Sequence, residues 1–172
     1  MAKSGKKDNK KKKEGGAGSP TIQNRKARHD YHIESTLECG IRLIGSEVKA
    51  IREGLVSIAE GYARVDEKTS ELWLHDVHIG EYGPARGSME RHSPYRKRKL
   101  LAQKREIRKL GIETRSPGTT LVPLRMYFND RGWAKILIGV ARGKQKGDRR
   151  EASKQRDHQR EIDRAMTRKK IG

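Results

Sequence analysis

The chain has 172 residues, with 41 Lys and Arg against 22 Asp and Glu, a formal net charge of +19. At 32% hydrophobic residues it holds apolar material for one domain with extensions rather than two. The apolar stretch 136–141 is far short of the roughly 20 residues a membrane helix needs. The basic first residues lead into no apolar segment, which predicts no secretory signal. The single cysteine, Cys39, excludes a disulfide scaffold and a Cys-built zinc site. These features predict a soluble cytoplasmic protein with no membrane partner and a charge directed at polyanions.

In chain order, residues 1–23 are a Lys-rich stretch that runs into Gly15-Gly16-Ala17-Gly18-Ser19-Pro20, the composition of a disordered basic arm on a flexible linker. Residues 24–143 carry most of the apolar residues and form the expected folded domain. Within it, Asn24-Arg25-Lys26-Ala27-Arg28-His29-Asp30-Tyr31 packs three cations, an amide, an imidazole and a phenol ring into eight residues. Cations neutralise phosphates, and the other groups reach bases or sugars or stack on them. The plainer reading of this window is a solvated basic entry to a strand.

Residues 31–44 alternate with period two. Tyr31, Ile33, Leu37, Cys39, Ile41 and Leu43 share one parity; His32, Glu34, Thr36, Glu38 and Arg42 share the other. This predicts one long strand with one buried face, bent at Gly40. Glu38 stands out as a carboxylate on a strand of a very basic protein. Such a group repels phosphate, so it either accepts hydrogen bonds from a base edge or sugar or pairs with a neighbouring Arg or Lys.

Ser46 then predicts the cap of a short helix that turns Val48, Ile51 and Leu55 inward. Strands are expected at 57–66 and 71–79. Residues 83–99, with Arg96-Lys97-Arg98-Lys99, read as a loop. Leu100, Ile107 and Leu110 fit one helix face that stops at Gly111. Residues 119–128 and 133–141 form the best hairpin, joined by Asn129-Asp130-Arg131-Gly132. The order predicts a mainly β, α+β fold: a small antiparallel barrel or sandwich with helices filling its ends.

Residues 144–172 read as a basic tail. Arg156, Arg160, Arg164 and Arg168 recur every four residues, and Ile162, Ala165 and Met166 make a small apolar patch at helical spacing. An isolated helix of this kind is marginal in water, so the tail is expected to fold against an anionic surface.

Catalytic signals are weak. Gly139–Lys144 lacks the hydroxyl residue after Lys that a phosphate loop uses to hold Mg²⁺. His75 and His78, three apart in one expected strand, point to opposite faces and cannot share a metal. Cys39 lies on the apolar parity as a buried thiol. No pair of acids stands out as a general acid and base. These patterns argue against an enzyme and call for no cofactor and no metal.

The residues also carry a family resemblance over about 21–170. Asn24–Tyr31, then Gly45-Ser46-Glu47-Val48-Lys49-Ala50-Ile51-Arg52-Glu53-Gly54, Arg98-Lys99-Leu100-Leu101 with Arg105-Glu106-Ile107, Leu121-Val122-Pro123-Leu124, Val140–Lys144 and Asp148-Arg149-Arg150 together resemble the SsrA-binding protein family, small protein B. The resemblance implies an oligonucleotide-binding-like antiparallel β-barrel with about three helices. It implies a bacterial RNA-binding adaptor, not an enzyme, that binds the tRNA-like domain of transfer-messenger RNA and delivers it to ribosomes stalled on non-stop messages for peptide tagging. Elongation factor Tu and alanyl-tRNA synthetase are implied as partners through the RNA, and the chain is expected to act as a monomer.

By motif position, the implied RNA contacts are Asn24, Arg25, Arg28, His29, Tyr31, Glu38, Lys135, Arg142 and Lys144. The implied contacts with the small-subunit decoding centre and message channel are Asp148, Arg149 and Arg150, followed by Arg156, Arg160, Ile162, Arg164 and Met166 of a tail helical on the ribosome. The chain departs from the family pattern at His32, Cys39, Gly147 and Arg149, where Phe, Ala, His or an aromatic, and Lys are usual. The competing readings are a general RNA-binding or ribosome-assembly protein with the same barrel and, third, a small nuclease.

Overall fold

The computed structural model describes residues 20–83 and 92–144. The expected arm (1–19 of it) and the tail from residue 145, with every tail residue named above from Asp148 to Met166, lie outside the described residues. The elements in order are β1 (Ile22–Gln23), α1 (Arg25–Asp30), β2 (Tyr31–Ile41), α2 (Gly45–Arg52), β3 (Val56–Ser57), β4 (Tyr62–Asp66), β5 (Glu71–His75), β6 (His78–Ile79), β7 (Arg98–Leu101), α3 (Lys104–Glu113), β8 (Thr119–Phe128) and β9 (Ala134–Gly143). Seven strands form one antiparallel sheet in the order β1-β8-β4-β5-β7-β2-β9, and β8 also pairs with β9. That last pairing closes β8-β4-β5-β7-β2-β9 into a near-barrel ring. The mainly β fold with three helices agrees with expectation.

The hairpin β8–β9 forms as its turn residues dictate. Gly132 takes φ +76°, which L side chains rarely adopt, and its N–H donates to the Asn129 carbonyl at 2.9 Å. Tyr127 thereby faces Lys135, and Phe128 faces Ala134.

The long alternation of 31–41 does form one strand, but it does not bury one face. Its register on β9 slips between Ile33 and Ser35. The bulge adds one residue and so reverses the parity. Leu37, Cys39 and Ile41 enter or pack on the main core inside the ring, with Leu72, Leu74, Leu100, Met126, Ile136 and Ile138. Tyr31 and Ile33 instead pack outside it, against Ala27 of α1, Val122, Leu124, Leu137 and Ala141. Gly139 lies at the centre of this second cluster, where an added Cβ would come within 2.9 Å of Leu124 Cδ1 and 3.1 Å of Ile33 Cγ2.

Other differences have definite causes. The expected strands 57–66 and 71–79 are each split in two, and their outer pieces, β3 and β6, pair only with each other. His75 and His78 therefore sit on different strands in different sheets. On α2 the N-cap is Ile44, not Ser46. Glu47 accepts the Ile44 N–H at 2.9 Å. The inward residues are Ser46, Glu47, Ala50 and Ile51. Leu55 is exposed, because Gly54, at φ +79°, has already turned the chain out of the helix. Leu100 belongs to β7, and α3 runs through Gly111 to Glu113, where Thr114 Oγ1 donates to the Leu110 carbonyl at 2.9 Å.

The largest difference is at 96–99. Arg98 begins a strand and is fully buried, as is Glu47. Arg98 Nε donates to Glu47 Oε1 at 2.8 Å, and its remaining donors reach the carbonyls of Val77 (2.7 Å), Pro94 (2.9 Å) and Arg96 (3.1 Å). Arg96 donates to both Glu47 oxygens. Burial pushes the Glu47 carboxyl up, but Arg96, the Ile44 N–H and Arg98 together outweigh it and hold it below the ordinary value. Beside them, His92 accepts the Ser46 hydroxyl at Nδ1 (3.0 Å) and donates from Nε2 to the Ile79 carbonyl (3.1 Å).

Arg98→Ala leaves Glu47 charged and buried without one of its two guanidinium partners, a loss of about 3–5 kcal/mol for a broken buried pair, to be read from urea unfolding. Because the folded Glu47 carboxyl lies below its ordinary 4.5, its contribution is present above that value and is lost as pH falls through the folded one. Glu47→Gln should therefore flatten the acid limb of a pH-stability profile.

Candidate RNA-binding face

Strands β8, β9 and β2 form one wall of the ring, and α1 lies across one end of it. Asn24 builds that end. It is 5% exposed. Its Oδ1 accepts the Ala27 N–H at 2.9 Å, the N-cap bond that starts α1. Its Nδ2 donates to the carbonyls of Ile58 (3.1 Å) and Pro123 (3.0 Å), and its own N–H to that of Leu124 (2.9 Å). The Asn24 amide is thus consumed internally: it holds α1 on β8, and α1 presents Arg25, Arg28 and His29 to solvent. The helix is less than two turns long and has no apolar period, which is why the window 24–31 read as a strand entry.

The far end of β9 is tied to the same helix. Tyr31 pairs with Gly143, and His32 with Arg142. Lys144 donates its N–H to the Asp30 carbonyl (3.0 Å) and its ammonium to that of Arg28 (3.2 Å). His29 Nδ1 donates to Asp30 Oδ1 at 2.8 Å. Arg25, Arg28, His29, Tyr31, Arg142 and Lys144 therefore come together at one end of the wall, around Asn24.

Glu38 and Lys135 lie further along it. From Tyr31 the distance along β2 is seven residues, roughly 23 Å at 3.3 Å per residue. Lys135 Nζ is 3.3 Å from Glu38 Oε1, and the Tyr127 hydroxyl donates to Glu38 Oε2. The Tyr127 hydroxyl chiefly, with Lys135 and the Arg125 charge, holds the Glu38 carboxyl below its ordinary range against the opposing effect of burial. Glu38 thus pairs with a neighbouring Lys, as the plainer reading held, and still offers an ionised, half-exposed acceptor on a basic wall.

Two contributors were not singled out from the sequence. The Arg125 guanidinium stands over the Tyr127 ring at 4.8 Å. It also lines, with Arg25 and Arg28, a cavity of about 350 Å³ floored by Asn24, Leu124 and Leu137. The hairpin register would have found both, since a 129–132 turn sets Tyr127 opposite Lys135.

Chemically, the wall can neutralise phosphates at α1 and accept from a base or sugar at Glu38. Among the described residues no group of three or more His, Cys, Asp and Glu could hold a metal, and no helix is long and apolar enough to cross a membrane. Burial pushes the Cys39 thiol up to about 12, so it stays protonated. Fold and wall define a small β-barrel protein of the nucleic-acid-binding type.

The SmpB protein family model matches residues 21–168. The SsrA-binding protein of Thermobifida fusca is 49% identical over 94% of this chain and 98% of its own. That of Levilactobacillus brevis is 51% identical over 84% and 88%. Among solved structures, a chain described as "tmRNA-SmpB: a journey to the center of the bacterial ribosome" aligns with a TM-score of 0.63 and 45% identity, covering 78% of this chain and 95% of that one. The chain belongs to the SmpB family, whose members are RNA-binding proteins without enzymatic activity.

Tyr127→Phe removes the main donor to Glu38. The Glu38 carboxyl should then titrate higher, toward its ordinary 4.5, in a side-chain carboxyl NMR titration. An unchanged midpoint would mean that Lys135 and Arg125 set it without the hydroxyl.

Proposed function

We propose that the chain binds transfer-messenger RNA, the SsrA RNA, and acts with it on the bacterial ribosome in trans-translation. The observation that carries this is the single wall joining α1, β2 and β9, on a chain about half identical to SsrA-binding proteins along most of its length. The tRNA-like domain of the RNA lies along that wall. Its phosphates meet Arg25, Arg28, Arg142 and Lys144, its bases or sugars meet His29, Tyr31, Lys135 and Glu38, and Asn24 positions α1 from beneath. Elongation factor Tu and alanyl-tRNA synthetase meet the protein through the RNA. The protein acts as a monomer in the cytoplasm.

The tail serves after RNA binding. A helix over 151–168 would be roughly 27 Å long at 1.5 Å per residue. It fits a message channel that a truncated message leaves empty and a full-length message fills. Arg156, Arg160 and Arg164 meet phosphates of the channel wall, while Ile162 and Met166 wedge against bases or protein. Asp148, Arg149 and Arg150 stand at the decoding centre.

Glu38→Lys separates this reading from general RNA binding. It adds favourable phosphate electrostatics, so a general binder should bind RNA as well or better, whereas a wall that uses Glu38 as an acceptor should bind transfer-messenger RNA more weakly in gel-shift titration. Truncation after Lys146 should leave that binding nearly unchanged and abolish peptide tagging on stalled ribosomes; undiminished tagging would sink the tail's role.

A further inference from the structure

At the end of the ring beyond Lys135 lies a groove that the reading above leaves empty. It is a cavity of about 680 Å³ between the end of β2, α2, the last residue of β7 and the β8–β9 hairpin. Leu43, Val48, Leu101, Phe128 and Trp133 supply its apolar lining, and Arg42, Arg131 and Lys135 its rim. Among the described residues no acidic side chain lines it.

Trp133 dominates this groove. Its backbone is pinned: its N–H donates to Asn129 Oδ1 at 2.8 Å, and its carbonyl accepts the Asn129 N–H at 3.0 Å. Its ring is nonetheless 67% exposed, and Leu101 on the same groove is 53% exposed. Large apolar groups held in water on a rigid backbone, beside a cavity, mark a surface that something covers. On the rim, Lys135 is paired with Glu38, whereas Arg42 and Arg131 are exposed and make no ion pair among the described residues.

An occupant that fits is apolar at its centre and acidic at its edges, and the chain carries such a segment beyond Lys144. Written on a helix, at about 100° per residue, Ile162, Ala165 and Met166 share one stripe. Glu161 and Asp163 flank that stripe on either side, and Arg160 and Arg164 lie opposite it. An isolated helix of this kind is marginal in water, and the message channel offers it a surface only on the ribosome. The reach is sufficient. β9, ten residues long, separates Lys144 from Trp133 by roughly 33 Å, and residues 145–154, fully extended, span about the same distance. An RNA base would find one platform here, Trp133, because Phe128 is 2% exposed and lies under Arg52 at 5.3 Å, and the rest of the apolar lining is aliphatic. A second copy of the chain would bring the same cationic rim against itself.

We propose that, off the ribosome, residues 155–166 of the chain's own tail fold as a helix into this groove. Ile162 and Met166 pack on Trp133 and Leu101, Glu161 and Asp163 meet Arg131 and Arg42, and the arginine stripe faces solvent. The seat and the message channel call on the same two apolar side chains, so the tail engages one or the other. The groove keeps those side chains out of water until the channel takes them. The seat itself does not depend on the RNA-binding reading.

The chain has two tryptophans, Trp73 and Trp133, so a proton–nitrogen correlation spectrum shows two indole N–H signals. Four chains are compared: the full-length chain, the full-length chain with Ile162→Asp and Met166→Asp, the full-length chain with Glu161→Lys and Asp163→Lys, and a chain ending at Lys146, which keeps every described element. The Trp133 signal of the full-length chain should be displaced from its position in the shortened one. The Ile162→Asp, Met166→Asp chain should return it to that position even though it adds negative charge, which would strengthen a contact made by charge alone. The Glu161→Lys, Asp163→Lys chain should return it at least part of the way. The Trp73 signal should coincide in all four, which reports an intact barrel. The proposal is overturned if the Trp133 signals of the full-length and shortened chains coincide, or if either double variant keeps the full displacement. A displacement that grows with protein concentration would assign the groove to a second copy and overturn it too. Coincident signals that move on adding the tRNA-like domain of transfer-messenger RNA would assign the groove to RNA, with the same consequence.

Discussion

Two side chains with no access to solvent, Glu47 and Arg98, hold the architecture in register. Glu47 comes from α2 and Arg98 from β7, and between them they reach the backbone at Ile44, Val77, Pro94 and Arg96. A buried charge is costly unless all its hydrogen-bonding capacity is used. The placement of α2, the 92–97 segment and β7 brings these partners together. β7 lies between β5 and β2 in the ring, so this pair ties α2 to the strand that joins those two. Apolar residues of equal volume could fill the same space, but they would not dictate which carbonyls must converge on it.

The same feature explains what the sequence concealed. Arg96-Lys97-Arg98-Lys99 reads as a solvated run because alternation is detected through hydrophobicity, and a fully buried arginine counts as polar. Its neighbours give no warning, since the partner carboxylate lies 51 residues away. The β8–β9 hairpin was legible for the opposite reason: its strands alternate, its turn is local, and Gly132 supplies the left-handed residue the turn needs. The bulge at Ile33–Ser35 was not legible. Period-two alternation is unbroken through it in sequence, and only the partner strand reveals the extra residue.

That bulge also shapes the outer wall. Without it, Tyr31 and Ile33 would point into the ring with Leu37 and Cys39. With it, they turn outward and give α1 an apolar bed with Val122, Leu124 and Ala141. The helix that carries Arg25, Arg28 and His29 can dock there only because the strand beneath reverses its faces. Asn24 then closes the arrangement from below. A residue-type reading placed this amide among the RNA contacts, and its burial shows how such a reading merges two roles: touching a ligand, and holding the segment that touches it.

The ring itself limits how RNA can be handled. Six tilted strands about 4.8 Å apart enclose a ring roughly 12 Å across between backbones, and the space is filled by Leu, Ile and Met side chains. A packed core of this kind has no channel for a strand and little freedom to shift. The β2–β9 wall and the strands across the ring from it are thus separated by a packed core. A small barrel with charged, ring-bearing outer walls acts as a spacer of fixed thickness. Whatever is seated on one side is held at a set distance from whatever meets the other.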